Sequence, residues 1–145
     1  MKVGIVSDHR GYELKKELVK ELTNYELIDY GTYSTESVDY PDYAFLLGDK
    51  VVKKEVDYGI AICGSGIGIS IACNKVNGIR CAKVNTVLDA KMTRLDNDAN
   101  VIALSAKTNK NDAIELINTF LETKFSNEKR HINRINKIKN YEENR

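Results

Sequence analysis

The 145-residue chain has almost no net charge: 22 lysines and arginines stand against 21 aspartates and glutamates, a formal +1. That balance removes nucleic acid and anionic membrane as main partners. Its three cysteines are an odd number without paired spacing, which points away from a disulfide framework and toward a reducing compartment. No apolar run is long enough to cross a bilayer. The start, Met1-Lys2-Val3-Gly4-Ile5-Val6, reads directly as a strand, with no signal segment, so the expectation is a cytoplasmic protein. Pro41 is the only proline, and there is no repeat, low-complexity stretch or linker. With 42% hydrophobic and 30% charged residues, the composition is that of an ordinary folded protein, and the length suits one domain over 1–145.

What is present is an alternation of two periods. Short apolar runs at 3–7, 27–30, 60–62, 78–84 and 101–104 read as strands. Helical stripes lie between them: Leu14, Leu18, Val19 and Leu22; Ala44, Phe45, Leu47, Val51 and Val52 within 42–53; Ile67, Ile71 and Ala72; a polar-rich stretch at 87–95; and Ile114, Ile117, Phe120 and Leu121 within 112–125. Residues 31–41 form a polar loop closed by Pro41, and 96–100 read as a turn. Alternation of this kind predicts an α/β fold, three-layer α/β/α and Rossmann-like, with a five-stranded parallel sheet and a basic C-terminal helix. On that last segment Arg130 and Arg134 are one helical turn apart and share a face.

The stretch from Gly59 to Lys75 organises the rest. Ile60-Ala61-Ile62 reads as a buried strand, and Cys63 follows at its carboxyl end. Gly64, Gly66 and Gly68 permit a tight turn, and the amides of Ser65 to Ile69 would be free at a helix start, a place for an anion or an oxyanion. Familiar loops are excluded by what is missing. A phosphate-cradling loop needs Gly-Lys-Ser/Thr, but Gly68 is followed by Ile69 and Ser70. A dinucleotide site needs different glycine spacing and an acid near residue 84. A nucleophile elbow needs glycine where Cys63 stands. A thiol phosphatase loop needs an arginine near Ile69. Cys63 is thus a candidate base or nucleophile, and packing as a small hydrophobe is an equal reading of its position. Cys73 and Cys81 fall in apolar patterns and read as packing residues. Asp8 and His9 also sit at a strand-to-helix turn, where Asp8 reads equally as a helix cap.

Asp8-His9, Asp39-Tyr40-Pro41, the run from Cys63 to Lys75, Gly78-Ile79-Arg80, the run from Asn97 to Val101, and Arg130-His131 with Arg134 occur together, in this order. The combination resembles the ribose-5-phosphate isomerase B family, which includes the galactose-6-phosphate isomerase subunits, over nearly the whole chain. The resemblance implies an aldose–ketose isomerase with no metal or other cofactor. It also implies a homodimer with sites shared between subunits, able to pair further into a tetramer.

By that resemblance Cys63 is the base that moves a proton between C1 and C2 of an open-chain sugar phosphate. A thiol suits this where loop amides favour its thiolate. Ser65 helps move protons between O1 and O2. Gly64, Gly66, Ile67 and Gly68 present amides to the enediolate, and Asp8 holds sugar hydroxyls. His9, Arg130 and Arg134 clamp phosphate, and Asn97 comes from the partner. Two positions depart from the family. Asp96 stands where a ring-opening histidine is usual, and Lys107 where an arginine is usual, keeping the charge but losing the fork. Ribose 5-phosphate is the expected substrate. A six-carbon sugar phosphate and a non-catalytic sugar-phosphate-binding or thiol-sensing module are the alternatives.

Overall fold

The computed structural model describes all 145 residues. The elements are β1 (Lys2–Ser7), α1 (Tyr12–Glu21), β2 (Glu26–Asp29), α2 (Tyr40–Val52), β3 (Tyr58–Cys63), α3 (Ile67–Cys73), β4 (Cys81–Lys83), α4 (Val87–Asn97), β5 (Val101–Ser105), α5 (Lys110–Glu122) and α6 (Lys129–Glu143). The strands form one sheet in the order β2-β1-β3-β5-β4. All four neighbouring pairs are parallel, so the expected five-stranded parallel sheet is present.

Strands covered on both faces must be apolar on both, and they are. Ile5, Ile60, Ile62, Ile102 and Leu104 meet α1 and α5 through Leu14, Leu18, Leu116, Ile117 and Phe120. Val6, Ala61, Val101 and Ala103 meet α2 and α3 through Ala44, Leu47, Val51, Ile69 and Cys73. This is the three-layer α/β/α arrangement. The basic α6 lies outside the layers against α4, burying His131 and Ile135.

Local chemistry moved several boundaries. The fourth strand is only Cys81–Lys83, because side-chain amides replace the ladder before it. Asn100 accepts from the Arg80 amide at 2.8 Å and donates to the Gly78 carbonyl at 2.9 Å. Asn74 accepts from the Cys81 amide at 2.7 Å. The expected turn at 96–100 begins later, since α4 runs through Asn97 and stops at Asp98 in the left-handed region (φ 46°). The last core helix begins at Lys110, with Asn109 capping the Asp112 amide at 2.9 Å. On α3 the inward residues are Ile69, Ala72 and Cys73, whereas Ile67 and Ile71 face outward, 56% and 58% exposed. That corrects the expected stripe of Ile67, Ile71 and Ala72.

Candidate active site

β1 and β3 are neighbours, but the chain leaves them toward opposite faces, through α1 and α3. Ligands in open parallel sheets bind at such a switch point, beyond the carboxyl ends of the strands. A cleft of about 640 Å³ lies there, lined by Asp8, His9 and Arg10 after β1, by Cys63, Gly64, Ser65 and Gly68 after β3, and by 38–42 at the start of α2.

Cys63 ends β3 and is paired with Ser105 of β5. The residue is 4% exposed, and its carbonyl accepts from the Ala106 amide at 2.9 Å. Ser105 holds the loop beyond it, donating through Oγ to the Gly64 carbonyl at 2.8 Å. The chain then turns at Gly66, with φ +77°. A Cβ there would stand 2.8 Å from the Leu104 carbonyl carbon, so the loop lies directly on the β5 backbone. Gly66→Ala combines a left-handed backbone with a backbone clash. We expect it to lower stability by about 2–4 kcal/mol, measured by denaturant unfolding.

The loop amides are mostly available. Those of Ser65, Gly66, Gly68 and Ile69 donate to nothing within the chain. The Ile67 amide is taken by Ser65 Oγ at 3.1 Å, so Ile67 does not present the free donor expected of it. Ser65 is exposed, and accepting that bond leaves its hydroxyl proton free to donate. Gly68 lies flush against Tyr40, whose ring carbon would be 2.7 Å from an added Cβ.

Asp8 makes the cap that its position allowed. It is 5% exposed, and one oxygen, Oδ1, accepts from the Arg10 and Gly11 amides at 3.0 Å each, closing the turn into α1. The other oxygen remains for a ligand. His9 Nδ1 accepts from the Val38 amide at 3.2 Å. That bond needs the Nδ1 lone pair, which leaves Nε2 as the nitrogen that carries the proton.

The structure does not bring the remaining candidates to this cleft. Lys107 follows β5 on the same edge of the sheet and is exposed. Asp96 and Asn97 end α4, which leads into the opposite, amino edge through Val101. Asp96 Oδ1 lies 3.3 Å from Nε2 of the buried His131. Asn97 Oδ1 accepts from Thr93 Oγ1 at 3.2 Å. Arg130 is tied to Glu128 at 2.9 Å, whereas Arg134, one turn on and also exposed, has no ion pair. Within one chain, therefore, His9 is separated from Arg130 and Arg134, and Cys63 from Asp96 and Asn97. Two partial sites occupy opposite edges of the sheet.

Cys73 is fully buried, and its contact with Cys81 and then burial push its thiol well above the usual range, so it packs and does not react. No group of three or more His, Cys, Asp or Glu side chains converges as a metal site. No helix is long and apolar enough to cross a membrane. Sequence reasoning passed over Arg10 and Tyr40 as site residues; only the folded structure lays them against the glycine loop.

A family model described as Ribose/Galactose Isomerase matches residues 3–138. Among curated relatives, the ribose-5-P isomerase B of Listeria innocua is 38% identical over 129 residues, covering 87% of each chain. Among solved structures, the ribose-5-phosphate isomerase B of Clostridium thermocellum superposes with a TM-score of 0.95, at 45% identity over 99% of each chain. A Mycoplasma genitalium ribose-5-phosphate isomerase B with bound ribulose-5-phosphate superposes with a TM-score of 0.93, at 38% identity over 99% of this chain and 97% of that one.

Proposed function

The chain belongs to the ribose/galactose isomerase family, and on that premise we propose that it interconverts ribose 5-phosphate and ribulose 5-phosphate with Cys63 as the base. One observation carries the reading. Cys63 closes the floor of a switch-point cleft, at the start of a loop with four uncommitted amides. In the aldose-to-ketose direction the Cys63 thiolate removes the C2 proton of the open-chain sugar. The C1 carbonyl becomes the oxygen of a cis-enediolate, held by the loop amides. Ser65 passes the O2 proton to O1, and the Cys63 thiol returns its proton to C1. Asp8 holds sugar hydroxyls, and His9 donates through Nε2 to phosphate.

The opposite edge supplies the rest from a second copy of the chain, giving a homodimer. Asn97, Arg130 and Arg134 of one protomer reach the Cys63 cleft of the other. The outward Ile67 and Ile71, beside the glycine loop, support this, because an apolar face next to an incomplete site is suited to burial against a partner. Asp96 does not offer the imidazole that ring opening favours, and its carboxylate is directed to His131. The enzyme then draws on the open-chain fraction of its aldose.

The test is a coupled assay over ribose, allose and galactose phosphates, run in both directions for the pentose. The expected result is turnover of the pentose pair above the hexoses, with ribulose 5-phosphate consumed more efficiently than ribose 5-phosphate. Faster turnover of a six-carbon phosphate would replace the substrate, and none on any phosphate would remove the isomerase reading.

A further inference from the structure

We propose that Arg10 is a catalytic residue whose guanidinium stabilises the negative charge that forms beside Cys63. The inference rests on the reading of Cys63 as the base. It begins from a charge imbalance. The cleft is lined by three carboxylates, Asp8, Asp39 and Asp42, and by one guanidinium or ammonium group, that of Arg10. Within one chain a pocket of this sign repels a developing oxyanion unless a cation is held in it, and the arginines that the second protomer brings in the proposed dimer are engaged with the phosphate at the other end of the sugar.

The fold holds this one in place. Asp8 Oδ1 takes the Arg10 amide at 3.0 Å and fixes the backbone. Gly11 sits flat on β3, where an added Cβ would be 2.8 Å from the Ile62 carbonyl oxygen. The turn is thereby pressed against the strand end that carries Cys63. Arg10 then crosses the bare Cα of Gly64, the residue after Cys63. A Cβ on Gly64 would meet Arg10 Cδ at 2.8 Å and Nη1 at 3.2 Å.

Despite three carboxylates around the cleft, the guanidinium donates to none of them. The one hydrogen bond of Arg10 is made by its backbone amide. Its forked donors are uncommitted and lie over Gly64, between Cys63 and the loop amides in sequence, within the cleft that both line. Arg130 and Arg134 of the same chain cannot serve here, because they lie on the other edge of the sheet. The same cation acts on any negative charge that the Cys63 sulfur itself carries.

Arg10→Ala and Arg10→Lys are compared with the wild type in two measurements. Steady-state kinetics on ribulose 5-phosphate should show kcat down about 10–10²-fold in Arg10→Ala, less than for a fully buried donor, with KM changed little. Arg10→Lys should recover part of it, keeping the charge without the fork. Iodoacetamide labelling at pH 7, read on the Cys63 peptide by mass spectrometry, should slow several-fold in Arg10→Ala and recover in Arg10→Lys. A rise in KM at unchanged kcat would mean that Arg10 reads phosphate in the ground state, and overturns the proposal. Unchanged kcat and unchanged labelling make it a solvated surface residue, and also overturn it. A wild type inactive on every sugar phosphate, with labelling still slowed in Arg10→Ala, sinks the isomerase reading while the charge effect on Cys63 stands.

Discussion

Cys63→Ala yields a folded protein that binds sugar phosphate and isomerises it about 10²–10⁴-fold more slowly, equivalent to roughly 3–5 kcal/mol of barrier. Folding should survive because the change is small. Cys63 is one of 13 buried residues in the cluster beneath α2 and α3, the others remain, and removing one sulfur from a strand end leaves a minor void. Binding should survive because the contacts proposed for Asp8, His9 and the loop amides do not involve the thiol. The loss therefore falls on kcat. Measured by stopped assay with KM determined separately, a kcat loss at near-constant KM assigns the proton transfer to Cys63. Activity near that of the wild type returns Cys63 to a packing role. In that case the base must be sought among Asp8 and Asp39.

Much of this site is legible in sequence because strand ends are legible. Runs such as Ile60-Ala61-Ile62 announce a buried parallel strand, and a parallel sheet presents chemistry at carboxyl ends. Asp8 and Cys63 can thus be assigned to one edge before any coordinates exist. Arg10 cannot, since its meaning depends on lying across Gly64, fifty-four positions away, and an exposed arginine at a helix start reads as solvated. The face of α3 is also illegible: with Ile67, Ile69, Ile71, Ala72 and Cys73 in seven residues, periodicity cannot say which isoleucines turn inward. The short β4 reflects Asn74 and Asn100, whose amides mimic backbone partners, and no strand pattern encodes that. Asp96 was visible as a departure, but its link to His131 joins two helices and is tertiary.

Co-expression of Cys63→Ala and Asn97→Ala chains restores activity that neither has alone. The expectation follows from the separation of the two partial sites. Cys63 lies at the carboxyl edge of the sheet and Asn97 at the end of α4, leading into the amino edge. No motion within one compact chain joins them, but the proposed homodimer does so if its two-fold axis sets each edge against the opposite edge of the partner. In a mixed dimer one site combines intact Cys63 with intact Asn97, and the other carries both substitutions. Random pairing makes half of the dimers mixed with one good site each, so activity should recover to about a quarter of the wild-type value. Differently tagged chains purified through both tags should reach about half, because every dimer is then mixed. Sedimentation of the wild type should show a dimer or a larger even assembly. Recovery absent from doubly purified mixed dimers, or full activity in a sedimenting monomer, would mean that each chain completes its own site. Asn97, with its Oδ1 held by Thr93, would then be a structural residue at the end of α4.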